Sequence, residues 1–114
     1  MRTLAAVVLS VFLGISMAQE KTQAIGKIAV FQSGVVHFNG KPVTIPQLKA
    51  ELTRLKGLDG TVWYYREHPD QEPPAISTGV IEAVVENRLP ISLSTEPDFS
   101  TVVLPDGSIR PRPK

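Results

Sequence analysis

Hydrophobic and polar positions alternate over short stretches of this chain and recur at helical spacing over two longer ones. The short runs, which are rich in β-branched and aromatic residues and predict strands, lie at 28–31, 35–38, 61–65, 91–94 and 99–104. Two longer stretches, 45–56 and 75–86, repeat their apolar residues every three or four positions, as helices with one buried side do. The pattern predicts an α+β domain in the order ββαβαβ, with two helices on one face of a sheet of four or five strands and an additional C-terminal strand.

Turn and capping residues separate these stretches. Asn39-Gly40, two residues that tolerate the positive φ of a tight turn, follows the second predicted strand. Pro42 has no backbone N–H to donate, so the segment that reaches Val43 is predicted at an edge of the sheet or outside its ladder. Thr44 and Gln47 have the spacing of a capping box and predict the start of the first helix.

Asn87 is predicted to end the second helix in the left-handed conformation, and Pro90 prevents the helix from continuing.

The apolar side chains of the predicted elements can form one common core. The central run Trp63-Tyr64-Tyr65 places rings alternately on both faces, where they serve either the core or an aromatic surface for a peptide or sugar. The predicted core consists of Ile28, Val30, Val36, Phe38, Leu48, Leu52, Leu55, Val62, Val80, Val84, Ile91 and Leu93.

The first residues have the pattern of a secretory signal. Arg2 precedes an apolar run from Leu4 to Ile15, and Ser16-Met17-Ala18 supplies the small residues of a cleavage site. The predicted organisation is a signal peptide at 1–18, a linker at 19–26, one domain at 27–109 and a flexible tail at 110–114. This places the domain in the periplasm or outside the cell, and a membrane contact is expected only if the N-terminal segment is retained as an anchor.

Composition narrows the chemistry. The chain has 12 basic and 11 acidic residues without a basic cluster, so nucleic acid is not an expected partner. Cysteine is absent, which excludes disulfides and thiol chemistry. Neither His37 nor His68 has a second ligand at a motif spacing, and the acidic loop around His68 lacks the pattern of a calcium site, so no metal and no cofactor are predicted.

Two segments are candidate binding sites. The strand of Thr101, Val102, Val103 and Leu104 is the better candidate for an open edge, because it follows the Glu96-Pro97 break and no long element comes after it. The polar, proline-containing loop that begins with Glu67 and His68 is the second candidate. Either segment would bind an envelope protein or peptide.

The order of elements and two short motifs resemble the periplasmic domain of the ExbD/TolR biopolymer-transport proteins. The segment from Asn39 to Val43 matches that family's NG-x-x-V pattern, and Ile91, Leu93 and Thr95 match its closing I-x-L-x-T strand, so the resemblance covers residues 26–95. It implies that family's fold and a role in docking an envelope component. It does not extend to the proton-coupling aspartate of that family's transmembrane helix, because residues 4–18 contain no acid.

Three kinds of function are compatible with these patterns. The first is an exported, non-catalytic binding or accessory module of the cell envelope that holds a peptide at a sheet edge, which requires no special side chains. The second is a structural homodimer in which the C-terminal strand pairs with its twin. The third, an enzyme, is disfavoured because no nucleophile, base and orienting group occur at a recognisable spacing.

Overall fold

The computed structural model describes residues 23–113, and the predicted signal peptide lies outside the described residues. The helices are α1 (Ile45–Gly57) and α2 (Ala75–Glu86), and within residues 23–113 neither is long and apolar enough to cross a membrane. The strands are β1 (Ile25–Val30), β2 (Val36–Phe38), β3 (Lys41–Val43), β4 (Thr61–Arg66), β5 (Ile91–Ser94), β6 (Thr101–Val103) and β7 (Ile109–Pro111).

The main sheet has five strands in the order β3-β2-β1-β4-β5, and β6 and β7 form a separate two-stranded sheet. β1, β2 and β3 are antiparallel neighbours, whereas β1–β4 and β4–β5 are parallel pairs. Parallel neighbours require a crossover, and α1 and α2 provide the two that this sheet needs. The predicted α+β class and order of elements are confirmed, with β3 as an additional strand at one edge.

The core lies between the two helices and one face of the main sheet. Alternate residues of β1 and β4, such as Ile28 and Val62, point to this face and are fully buried. They meet the buried stripe of α1 and the Val80, Ala83 and Val84 side chains of α2. The predicted core residues that the structure buries are Ile28, Val30, Val36, Phe38, Leu48, Leu52, Leu55, Val62, Val80 and Val84.

Two residues of the predicted core are at the surface. Ile91 is 37% exposed and Leu93 is 45% exposed. They lie opposite Val62 and Tyr64 and so share the helix side of the sheet, but β5 is its outermost strand and is covered only in part. The prediction was wrong because alternation shows which face a side chain takes and carries no information on how far its strand lies from the middle of the sheet.

The ends of the helices follow local chemistry. The capping box of α1 is complete, since Thr44 Oγ1 accepts from the Gln47 N–H at 3.2 Å and Gln47 Oε1 accepts from the Thr44 N–H at 2.9 Å. At the end of α2 the prediction was wrong by one residue: Asn87 has φ −88°, and Arg88 takes the left-handed conformation with φ 53°. The Asn87 side chain instead donates from Nδ2 to the Ala83 carbonyl at 2.9 Å, which prolongs the last turn.

The C-terminal residues form a hairpin. β6 and β7 pair across a turn at Asp106-Gly107, where Gly107 has φ 88°. The ladder continues past β7, because the Arg112 N–H donates to the Ser100 carbonyl at 2.8 Å. Residues 110–112, which the sequence predicted in a flexible tail, therefore belong to this hairpin.

Candidate functional site

The outward side of β3 is closed. The Asn39 N–H donates to the Lys27 carbonyl at 2.8 Å, so Asn39 faces β1. Because alternate residues of a strand face the same neighbour, the backbone groups of His37 also face β1, whereas those of Val36 and Phe38 face β3. Lys41 and Val43 consequently face β2, and the outward position between them is Pro42, which has no N–H. The prediction that Pro42 lies at a sheet edge is confirmed, and this edge offers no donor at that position.

The outward backbone groups of β5 are not paired in a ladder, although β6 packs beside this strand; we call this unpaired side the open edge. The Val62 N–H donates to the Pro90 carbonyl at 2.9 Å, so the alternate residues Pro90, Ser92 and Ser94 face β4. The N–H and C=O groups of Ile91 and Leu93 then point away from the sheet. Among residues 23–113 no strand pairs with this side of β5, and no hydrogen bond engages those backbone groups.

A groove next to Leu93 borders this open edge. Its volume is about 210 Å³, and most of its exposed surface is apolar. The residues that line it are Tyr64, Arg66, Pro69, Leu93, Ser94, Thr95 and Val103. Small-molecule sites have volumes of about 300 Å³ or more, so a groove of this size suits one or two side chains of a bound segment. The groove is formed jointly by the ends of β4 and β5, the loop after β4 and the strand β6.

Hydrogen bonds from Gln32 and from Arg66, the last residue of β4, hold the loop after β4. Glu67 Oε1 accepts from the Gln32 N–H at 2.9 Å, and Arg66 donates to the Pro69 carbonyl at 2.7 Å. His68 is exposed in the left-handed conformation, with φ 51°. Neither Glu67 nor His68 is among the residues that line the groove, which this loop reaches through Arg66 and Pro69.

The C-terminal strand was predicted as an edge because no long element follows it, but the short strand β7 pairs with one of its sides. Val102 lies opposite Arg110, and the Leu104 N–H donates to the Ser108 carbonyl at 2.8 Å, so both residues face β7. The outward backbone positions of β6 belong to Thr101 and Val103. Of the predicted binding residues in this strand, Val103 lines the groove.

The face of the sheet without helices carries an aromatic cluster. Trp63 and Tyr65 point to it, because they alternate with the buried Val62 and Tyr64. The ring of Phe99 covers them, with centroids 6.5 Å from Trp63 and 6.4 Å from Tyr65. The guanidinium of Arg112 stacks on Trp63, its Cζ 3.9 Å from the ring centroid. The C-terminal hairpin is thus docked on this face rather than detached from it.

Two tyrosines of β4 have raised pKa values. Burial raises the pKa of Tyr64, and burial together with the charges of Glu67 and Glu96 raises the pKa of Tyr65. Tyrosine is protonated at neutral pH with or without these shifts, so both hydroxyl groups are neutral and can donate as well as accept hydrogen bonds.

The two histidines do not meet. His37 lies against Phe31, with ring centroids 4.9 Å apart, whereas His68 lies in the loop after β4. In the part of the chain from residue 23 to residue 113, no three His, Cys, Asp or Glu side chains converge as metal ligands would.

Sequence reasoning did not find Ser92, Phe99 and Arg112, which meet at Trp63. Ser92 looked like the polar half of an alternating strand, and Arg112 lies in a run of arginine and proline typical of a tail. The one useful signal was the Asp106-Gly107 turn, which returns the chain along β6.

No protein-family model matches the chain, and no curated protein is significantly similar to it.

Proposed function

We propose that this chain is an exported, non-catalytic binding module of the cell envelope that holds an extended segment of a partner protein along β5. One observation carries the proposal: the outward backbone groups of Ile91 and Leu93 have no partner within the described residues, and their side chains are exposed beside an apolar groove. An extended peptide adds to a sheet edge by pairing with such groups, while pockets beside the edge select its side chains.

The composition of β5 supports this role. Exposed sheet edges are normally protected by proline, by charge or by a covering element, because unpaired strands promote aggregation. The sequence of β5, Ile91-Ser92-Leu93-Ser94, contains neither a charge nor a proline. We therefore expect a partner to cover this edge when the protein is at work.

The resemblance to the ExbD/TolR periplasmic domain supports a place in the cell envelope. The element order on which it rests, strands and helices from β1 to β5, is the order found along the chain. The secretory pattern of residues 1–18 supports export to the periplasm or beyond. Proton coupling is not part of the proposal, because residues 4–18 hold no acid.

Site-specific crosslinking in the full-length protein tests the proposal. A photo-crosslinking amino acid replaces Leu93 on the open edge or, as a matched control, Lys41 on the closed edge. We expect a protein partner from the envelope to be crosslinked at Leu93 and not at Lys41. Leu93→Pro removes one outward N–H while leaving the ladder to β4 intact, so it should abolish capture and keep unfolding cooperative.

Equal crosslinking at both edges, or capture that Leu93→Pro leaves unchanged, would contradict the proposal. Crosslinks between two copies at residues 101–104 would support the homodimer instead. Because Val102 faces β7, the variant that should break such a dimer is Val103→Pro, which removes an outward N–H of β6.

A further inference from the structure

A guanidinium group is held against Trp63 by acceptors from two other segments of the chain. Arg112 donates from Nη1 to Ser92 Oγ at 3.1 Å, from Nη2 to the Thr101 carbonyl at 2.9 Å and from Nε to the Phe99 carbonyl at 2.9 Å. Its Cζ lies 3.9 Å from the centroid of the Trp63 ring. Every nitrogen of the planar cation has an acceptor while its face stacks on an indole, the ring that attracts cations most strongly.

This arrangement selects the shape of guanidinium as well as its charge. The acceptors are spread around the edge of a plane that lies over the ring, which matches the fork of donors on arginine. An ammonium group is compact and carries its donors at a single nitrogen, so it cannot reach these acceptors together. Burial lowers the pKa of Arg112, yet an arginine remains protonated at neutral pH and keeps all its donors.

The walls of this site are attached independently of the Arg112 side chain. Trp63 and Ser92 belong to paired strands of the main sheet. The two carbonyl groups belong to Thr101, the first residue of β6, and to Phe99 just before it. This segment is tied to the end of β5 because Thr101 Oγ1 accepts from the Thr95 N–H at 3.0 Å and lies 3.2 Å from Ser94 Oγ. Arg112 itself comes after the end of β7.

We propose that Trp63, Ser92 and the carbonyl groups of Phe99 and Thr101 form a binding site for an arginine side chain. Arg112 occupies this site in the protein alone, and an arginine of the partner segment replaces it in the complex. The replacement rests on the proposed function. Ser92 lies between Ile91 and Leu93, whose backbones face outward, so a segment paired along β5 passes beside this site. Arg112 is then an internal competitor for the partner's arginine.

Chemical rescue of the full-length Arg112→Ala protein tests the site without a partner. Ethylguanidinium is the probe, and Trp63, the only tryptophan of the chain, reports binding by fluorescence. We expect saturable binding to Arg112→Ala at millimolar concentration, and binding to the wild-type protein weaker by about tenfold or more, because the tethered arginine competes at a high effective concentration. Ethylammonium should give no saturable signal, and Arg112→Ala combined with Ser92→Ala should bind ethylguanidinium more weakly.

Backbone amide spectra show whether the hairpin stays docked in Arg112→Ala. If it detaches and ethylguanidinium restores the docked spectrum, the proposal is supported. It is overturned if saturating ethylguanidinium neither binds nor restores docking, or if ethylammonium or the wild-type protein responds equally.

A peptide pair tests takeover by another chain. Acetyl-Ala-Arg-Ala-amide should bind Arg112→Ala, whereas the same peptide with citrulline, which is neutral, should not; equal binding of the two would overturn the proposal. These measurements need no partner, so loss of crosslinking specificity at Leu93 would defeat the proposed function and the replacement of Arg112 by a partner's arginine, but not the arginine site itself. Absence of guanidinium binding would defeat this inference alone.

Discussion

The two edge strands of the main sheet, β3 and β5, differ in whether their outward residues can donate a backbone hydrogen bond. In β3 the outward position is Pro42, and in β5 the outward positions are Ile91 and Leu93. Pro42 leaves the β3 edge without a backbone donor at that position. The β5 edge keeps its N–H groups, and the apolar side chains of Ile91 and Leu93 beside them are exposed. The difference shows that the position of a residue relative to the ladder decides whether an edge can accept another strand.

The two edges also differ in the groups that surround them. β3 is followed directly by α1 and carries the exposed Lys41. β5 has a groove on its helix side, next to Leu93, and the Arg112 contact with Ser92 on the other side. Features that can recognise a partner are therefore concentrated on both faces of the open edge.

The largest expected effect is on the free energy of unfolding when leucine is replaced by alanine in the core rather than at the open edge. Leu52 is 0% exposed, so Leu52→Ala should lower the free energy of unfolding by about 2–5 kcal/mol. Leu93 is 45% exposed, so Leu93→Ala should cost less than about 1 kcal/mol. Urea unfolding measures both, and equal losses would mean that Leu93 is a core residue and the β5 edge is closed.

Proline at neighbouring positions of β5 tests which backbone groups face outward. Ser92→Pro removes the N–H that faces β4 and leaves an acceptor unpaired, at a cost of about 1–3 kcal/mol. Leu93→Pro removes an outward N–H and should cost less. Thermal unfolding compares the two, and a greater loss from Leu93→Pro would reverse the assignment of the ladder.

Reopening the β3 edge should make the two edges alike. Pro42→Val restores an outward N–H, so we expect concentration-dependent self-association while the free energy of unfolding changes by no more than about 0.5 kcal/mol. Sedimentation velocity measures the association. Pro105→Val, at an exposed turn proline, is the matched control and should stay monomeric. A monomeric Pro42→Val protein would show that Pro42 does not protect this edge.

The smallest expected effect is a loosening of the hairpin beside β5 in acid. Hydrogen bonds from the Ser100 side chain and backbone lower the pKa of Asp98, and those from Ser108 lower the pKa of Asp106. A carboxyl group with a lowered folded pKa stabilises the fold above its ordinary pKa of about 3.9 and loses this contribution as the pH falls through the folded value.

The protection of backbone amides from hydrogen exchange, relative to the unfolded chain at the same pH, should therefore fall in residues 101–111 below the ordinary aspartate pKa. The turn at Asn39-Gly40, beside β3, contains no carboxyl group and should not change in the same way. An equal loss of protection in both regions would indicate general unfolding rather than a local effect at the two aspartates.

Local sequence chemistry accounts for most of the main sheet and little of the candidate site. The Thr44 and Gln47 capping box was found because its residues are three positions apart. By contrast, Ser92 and Arg112 meet across 20 positions of sequence, and no local pattern marks such a pair. The candidate edge was placed on residues 101–104 because no long element follows them; the turn at 105–107 predicted a final strand or hairpin, but not which side of residues 101–104 a returning strand would cover.

The sequence by itself determined where the helices begin, which residues can turn and which side chains alternate between faces, because capping, positive φ and side-chain period depend on residues a few positions apart. Only the tertiary structure decided that β5 is outermost in the main sheet, which residues of β6 face β7, and that Arg112 stacks on Trp63. Strand order and long-range docking depend on the burial available to the whole chain, and a strand carries the same alternation in the middle of a sheet as at its edge.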